Sequence, residues 1–376
     1  MKKIGLVTIV DYKNYGNRLQ NYATQQVLSS MGCSVTTILN KPIKKAEENV
    51  KKNFVERVKG KKIIDLFKLV ITYKKRKQQQ EAFNKKVVAF KRFSNKYINE
   101  SNFIITVDMI PENLGERFDY FVVGSDQVWN PIFRKGSGID FLEFAPQHKR
   151  ISYAPSFGIA EIPNEYVAKY KNWLSEFNYL SVREDAGAKI IKILTDREAI
   201  VLVDPTVMLT KDEWIRIAKP HKMKPSNQFL LTYFLGEITK EVEDLIHKLS
   251  RKFNLEVVKL GSYEQIERYD ADPSEFIDYI NSSNIFLTDS FHGAVFSIIL
   301  EKQFIVFNRV SKVPSMSSRI DTLLNKFKLI DRKWDYVKES KDYLGVDFSH
   351  TGPIFEYERT KAYKYLRNAL DIEDAN

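Results

Sequence analysis

Asn284-Ile-Phe-Leu-Thr-Asp289-Ser-Phe-His292-Gly293, followed by Ala294-Val-Phe-Ser-Ile-Ile-Leu300, decides the fold. The apolar residues up to Thr288 read as a short buried strand, and the run after His292 as a buried helix. A polar turn joins them. In α/β proteins, ligands bind at the carboxyl ends of parallel strands. Backbone N–H groups at such a helix start hold anions, and a histidine there moves protons. The alternative is a plain helix cap, with Asp289 or Ser290 as N-cap and His292 a passive first-turn residue.

The same strand-then-helix alternation extends outward in both directions. Before the linker it includes strands 4–10, 34–39, 120–123, 150–153, 179–182 and 199–203, with helices at 19–30 and 165–177. After it come strands 229–234, 256–260 and 304–307, and helices 240–252, 273–282 and 318–326. The expected fold is α/β, with two Rossmann-like domains facing each other across a cleft. Domain bounds are expected at 1–210 and 225–350, with a polar linker at 211–227. A C-terminal helical segment, 355–376, is expected to pack back on the first domain.

At 376 residues, with 43% hydrophobic and 13% aromatic content, the chain suits two cores rather than one. The single cysteine, Cys33, excludes an intrachain disulfide and fits a reducing compartment. The apolar run after Met1-Lys-Lys is too short for a signal peptide, and no run approaches the ~18 residues of a membrane span. A cytoplasmic protein, at most peripheral at the inner membrane face, is expected. The net charge is +11, yet residues 41–96 alone hold 19 Lys/Arg against 5 Asp/Glu. This stretch reads as a basic helical insertion, about 41–100, suited to an anionic membrane surface or simply to solvent. No nucleic-acid motif accompanies it.

Several loops at strand ends carry chemistry. Asn14-Tyr-Gly-Asn17-Arg-Leu-Gln20-Asn-Tyr22 offers amides for hydroxyl-rich ligands, since an amide both donates and accepts. Its alternative is turn chemistry with Asn17 as N-cap. In Gly124-Ser-Asp126-Gln-Val-Trp129-Asn130, Asp126 can orient or deprotonate a hydroxyl and Trp129 can stack on a sugar, or the stretch is a tight turn over a buried tryptophan. Arg183 ends a strand, where a guanidinium grips carboxylate or phosphate, or else pairs with Glu184 or Asp185. Arg309 and Arg319 flank a hydroxyl-rich loop that reads as a phosphate-binding lid or a surface turn. No histidine pair has metal spacing, and no metal or cofactor is expected.

Taken in order, Asn14–Tyr22, Gly124–Asn130, Ser152-Tyr-Ala-Pro-Ser-Phe-Gly158, Ser181-Val-Arg-Glu-Asp-Ala186, Val203-Asp-Pro-Thr206, Thr288-Asp-Ser-Phe-His-Gly-Ala294 and Ser318-Arg-Ile320 resemble the polysaccharide pyruvyl transferase family, from Gly5 to about Leu324. The resemblance implies a GT-B-like architecture, with the first domain on the acceptor side and the second on the donor side. It implies transfer of pyruvate from phosphoenolpyruvate onto two hydroxyls of a sugar as a cyclic ketal, in surface polysaccharide biosynthesis. His292 is then the general acid and Asp126 a guess for the base. Arg183, Ser290, Arg309 and Arg319 serve the donor. Asn14, Asn17, Gln20 and Trp129 serve the sugar or lipid-linked oligosaccharide acceptor. The family's arginine two residues before the histidine is here Ser290, so Ser290, Arg309 or Arg319 must replace its role, or the donor differs. The alternatives are a GT-B glycosyltransferase with a nucleotide-sugar donor and a catalytically silent glycan-binding protein.

Overall fold

Two parallel sheets carry the molecule, and each has a point where the strand order reverses. The computed structural model describes residues 1–41, 63–310 and 318–373. The first sheet holds β1 (Lys3–Val7), β2 (Ser34–Lys41), β3 (Glu100–Thr106), β4 (Tyr120–Gly124) and β5 (Arg150–Tyr153), in the order β3-β2-β1-β4-β5. A parallel pair, β6 (Ser181–Val182) and β7 (Ile200–Val201), continues past β5 through a bridge from Ile151 to Tyr179. The second sheet holds β8 (Phe229–Tyr233), β9 (Glu256–Lys259), β10 (Ile285–Thr288) and β11 (Phe304–Val306), in the order β11-β10-β8-β9. Every pairing between these strands is parallel.

Central strands of such sheets are covered on both faces, which is why β4 and β10 read as apolar runs rather than alternating ones. All four residues of β10 are buried. The order reverses between β1 and β4 in one sheet and between β8 and β10 in the other. Crevices for ligands open at these switch points, outside the carboxyl ends of the strands. The loops after β1, β4, β8 and β10 are therefore the ones that meet.

Three features depart from the sequence reading. Residues 100–106 form an edge strand, β3, because Ile105 packs under the sheet while Ile104 stays 39% exposed. The basic insertion is in its second half one helix, Ile63–Tyr97. From Ala82 onward it buries a face through Ala82, Lys86, Phe90 and Phe93, whereas residues 72–78 are exposed. The 42–62 part of the insertion lies outside the described residues.

The linker 211–227 begins as a docked helix, Lys211–Ile217, rather than a free polar strand of chain. A capping box between Thr210 and Glu213 starts it. Trp214 then packs against Tyr22 at 5.6 Å and Phe296 at 4.9 Å, joining both halves. Tyr15 does the same by stacking on Phe276 at 4.4 Å and donating to the Ala271 carbonyl. The helix Thr351–Ala369 lies against the first half: Tyr365 donates to Ser152 O, Lys361 to Val201 O, and Arg359 to Val207 and Leu209 O.

Candidate active site

His292 sits in the first turn of helix Phe291–Ile299, immediately beyond β10. Ser290 is the N-cap, its Oγ accepting from Gly293 N at 3.2 Å. Asp289 has a different task. Its two carboxylate oxygens accept from Leu235 N and Gly236 N, at 2.7 and 2.8 Å, which fastens the loop after β8 to the turn after β10. Thr288 supports the same turn, accepting from Ser290 N and donating to Tyr233 O.

The first half reaches His292 from two sides. Gly16 lies directly against the imidazole: a Cβ there would fall 1.9 Å from Nδ1 and 2.3 Å from Cγ. Only a residue without a side chain fits. Asp204 Oδ2 lies 3.6 Å from Nε2. Asp204 is itself buried, N-capping the short helix Pro205–Met208 and accepting from Thr206 N and Oγ1, Ser125 Oγ and Arg183 Nη1. Burial alone would push its carboxyl up, but the charges of His292 and Arg183, with those hydrogen bonds, hold it far below the usual carboxylate range. The carboxylate therefore stays ionised beside the imidazole ring.

A replacement of Gly16 by Ala should displace the ring. We expect turnover to fall on the order of 10²-fold, the usual consequence of misplacing a reacting group by about 1 Å. Overpacking at this buried contact should also lower thermal stability, by ~1–3 kcal/mol. Unchanged kcat in Gly16→Ala would show that the ring position is not critical.

Around His292 lies a cleft of about 410 Å³, lined from the first half by Asp11, Asn14, Asn17, Asp126, Gln127, Phe133 and Arg134, and from the second by Leu235, Ser290, Arg309 and Arg319. This volume is within the ~300–1,000 Å³ of small-molecule sites. Asn14 N-caps helix Tyr15–Ser30 through Asn17 N, so the cap is Asn14 and not Asn17. Asn17 accepts from Asp11 N and donates to Asp126 Oδ2. Arg309 Nε is 3.4 Å from Asp289 Oδ2. Arg319, near the start of helix Ser318–Lys326, is 5% exposed and 3.9 Å from Asp126 Oδ1. Burial, and then the like charge of Arg183, push its guanidinium down to about 10. Of the proposed lid, residues 311–317 lie outside the described residues.

Four sequence expectations are corrected. Trp129 is fully buried; its Nε1 donates to Asp140 O and its ring stacks on Phe141, so it belongs to the core and cannot meet a sugar. Gln20 is also fully buried, donating to Thr8 Oγ1 and accepting from Ser125 N, and it braces the loop after β4 instead of lining the cleft. Arg183 does not line the cleft. Its guanidinium is held by Asp204 at 2.5 Å and Asp126 at 3.5 Å and lies 4.4 Å over the Phe291 ring. Asp126 is a poor base: burial raises its carboxyl, but Arg183, His292 and Arg319 outweigh that and lower it. With φ of +63° it occupies the left-handed region, held there by its partners.

The residues missed from sequence are Gly16, Asp204, Asp11, Phe133 and Leu235. Asp204 had a signal, since Asp-Pro after a strand is an N-cap with Pro at N1. Nothing in the sequence aligned it with His292, 88 residues away.

The family profile described as polysaccharide pyruvyl transferase matches residues 14–311, most of the chain. The chain belongs to the polysaccharide pyruvyl transferase family. It is thus an enzyme of the transferase class. No curated protein matches the chain. Among solved structures it is similar to a putative UDP-N-acetylglucosamine 2-epimerase from Listeria monocytogenes, at TM-score 0.51 and 11% identity, covering 99% of this chain and 97% of that one. It is also similar to the UDP co-structure of MnaA from S. aureus, at TM-score 0.50 and 10% identity, covering 99% and 98%. These likenesses give the fold, which is GT-B. Among the described residues of this pyruvyl transferase family member, no helix is long and apolar enough to cross a membrane.

Proposed function

We propose that this enzyme moves pyruvate from phosphoenolpyruvate onto two hydroxyls of a sugar as a cyclic ketal, in surface polysaccharide assembly. The observation that carries this reading is a histidine backed by an ionised aspartate in a cleft shared with two arginines. The donor is a small multiply charged anion. Arg309, Arg319, Ser290 and the N–H groups at the start of helix Phe291–Ile299 supply cations and donors for it. Arg309 and Arg319 thereby take over from the arginine that Ser290 replaces, while Arg183 acts from behind through Asp204 and Asp126.

Protonated His292 delivers its proton to the methylene carbon of phosphoenolpyruvate. The double-bond electrons form that C–H bond, leaving an oxocarbenium-like carbon that still bears phosphate. A sugar hydroxyl attacks this carbon and gives up its proton, which restores His292. The carbon–phosphate-oxygen bond breaks, and the second hydroxyl closes the ring. Its proton leaves with inorganic phosphate. Asp11, which lines the cleft and whose carboxyl is raised by burial, is better suited than Asp126 to relay the first hydroxyl's proton on its way to His292.

The test is to incubate the purified protein with phosphoenolpyruvate and a panel of hexose and N-acetylhexosamine acceptors, following phosphate release and acceptor mass. Acceptor-dependent phosphate release with one pyruvyl group added as a ketal is expected. Absence of phosphoenolpyruvate binding by calorimetry would overturn the donor assignment.

The exposed, basic turns at Lys74, Lys75, Arg76 and Lys77 favour contact with an anionic membrane surface, where a lipid-linked acceptor would lie. Sedimentation with vesicles containing anionic lipid should pull the protein down at low salt, and changing these four residues to Gln should reduce binding several-fold. Equal recovery with neutral vesicles would refute the contact.

A further inference from the structure

The cleft is graded from floor to mouth. Ser290, His292 and Arg319 are 3%, 6% and 5% exposed, whereas Phe133 and Leu235 are 39% and 44% exposed. These last two large apolar side chains stand at the same cleft, one from each half of the molecule. Among the described residues, Phe133 joins neither apolar cluster of the first half. Its exposure is not slack in the chain. The one-turn helix Pro131–Arg134 is capped by Asn130, whose Oδ1 accepts from Ile132 N. Arg134 beside it is clamped by both carboxylate oxygens of Asp140 and donates to Asn40. The backbone under Phe133 is therefore fixed on both flanks, and the ring is left at the cleft mouth. Leu235 is fixed likewise, its N–H held by Asp289 Oδ1.

An exposed ring beside amide and carboxyl side chains suits a ligand with one apolar and one polar aspect. A pyranose has both: a face of C–H groups and a rim of hydroxyls. We infer that Phe133 is the stacking platform for the acceptor pyranose, with Leu235 covering it from the opposite half. Asn14, Asp11 and Gln127 address its hydroxyls. The pair to be ketalised then turns toward His292. The aromatic role that Trp129 cannot fill thus falls to a ring four residues later. The inference rests on the proposed sugar acceptor but not on the identity of the donor.

Two measurements test it on the full chain. The first is saturation-transfer NMR with methyl hexosides and methyl N-acetylhexosaminides, without donor, on wild type, Phe133→Ala and Phe133→Trp. The second is steady-state kinetics with any acceptor found to turn over. Phe133→Ala should weaken sugar binding and raise the acceptor KM about tenfold, equivalent to ~1.4 kcal/mol. Phosphoenolpyruvate affinity should hold within about twofold, and Phe133→Trp should restore sugar binding. Sugar binding that depends on Phe133 without turnover of phosphoenolpyruvate supports the platform and overturns the pyruvyl reading. Turnover with an acceptor KM unchanged in Phe133→Ala overturns the platform and leaves the pyruvyl reading standing. Neither sugar binding nor turnover in wild type overturns both.

Discussion

His292→Ala should abolish acceptor-dependent phosphate release, lowering kcat on the order of 10²–10⁴-fold, the range for loss of a general acid. The donor should still bind, because Arg309, Arg319 and Ser290 are untouched and the N-cap geometry at Ser290 does not involve the imidazole. The fold should also hold. The ring occupies a slot between Gly16 and Asp204, and none of the core apolar contacts depends on it. The informative measurement is therefore single-turnover phosphate release beside phosphoenolpyruvate binding by calorimetry. Lost chemistry with donor affinity kept within about tenfold identifies an acid. Lost affinity with preserved single-turnover chemistry would make His292 a donor ligand only.

Asp204→Asn should be the more damaging change, because it acts on both stability and rate. The carboxylate balances buried Arg183 and stands 3.6 Å from His292. Asparagine keeps the shape but removes the charge. Losing one partner of a buried ion pair costs ~3–5 kcal/mol. Here the lower end is expected, since Arg183 retains Asp126 at 3.5 Å. Thermal unfolding should show the loss directly. Turnover should fall by about 10²-fold or more, because a protonated imidazole is no longer stabilised beside a neutral amide.

The pH dependence carries a definite sign. Asp204 is held far below its value in an unfolded chain, so its stabilisation is complete above about pH 4. It is lost as pH falls below that, because the unfolded state takes up the proton and the folded state does not. Wild type should therefore destabilise on acidification more steeply than Asp204→Asn. Parallel acid limbs in the two proteins would show that the fold does not hold this carboxylate's proton affinity low.

Two elements were legible to the residue. Helix Pro273–Ser282 and strand Arg150–Tyr153 have the bounds their sequence implies, the helix because Asp272-Pro273 is a strong start signal. Strand Glu100–Thr106 was hidden because an edge strand needs only one covered face, and most of its residues are polar or exposed. Trp129 misled because the same loop chemistry suits a ligand-facing ring and a core ring. Only the stack on Phe141 and the bond to Asp140 O distinguish them.

By itself, the sequence determined the alternation of buried strands and helices, the placement of polar loops at strand ends, and the family. These follow from local periodicity and from motifs a few residues long. Tertiary structure alone decided which polar residues share charge. His292 comes after β10, Gly16 after β1, Asp204 after β7 and Asp126 after β4. His292, Gly16 and Asp126 meet because both sheets reverse strand order where their loops emerge, and Asp204 joins them from the β6–β7 pair beside β5. Coulomb interactions fall off with distance in space and not with separation in sequence. The roles of Arg183 as a brace and Asp126 as its counter-ion were therefore set when loops of the first half came together, and that of Asp204 as partner of the acid only when the second half closed on it.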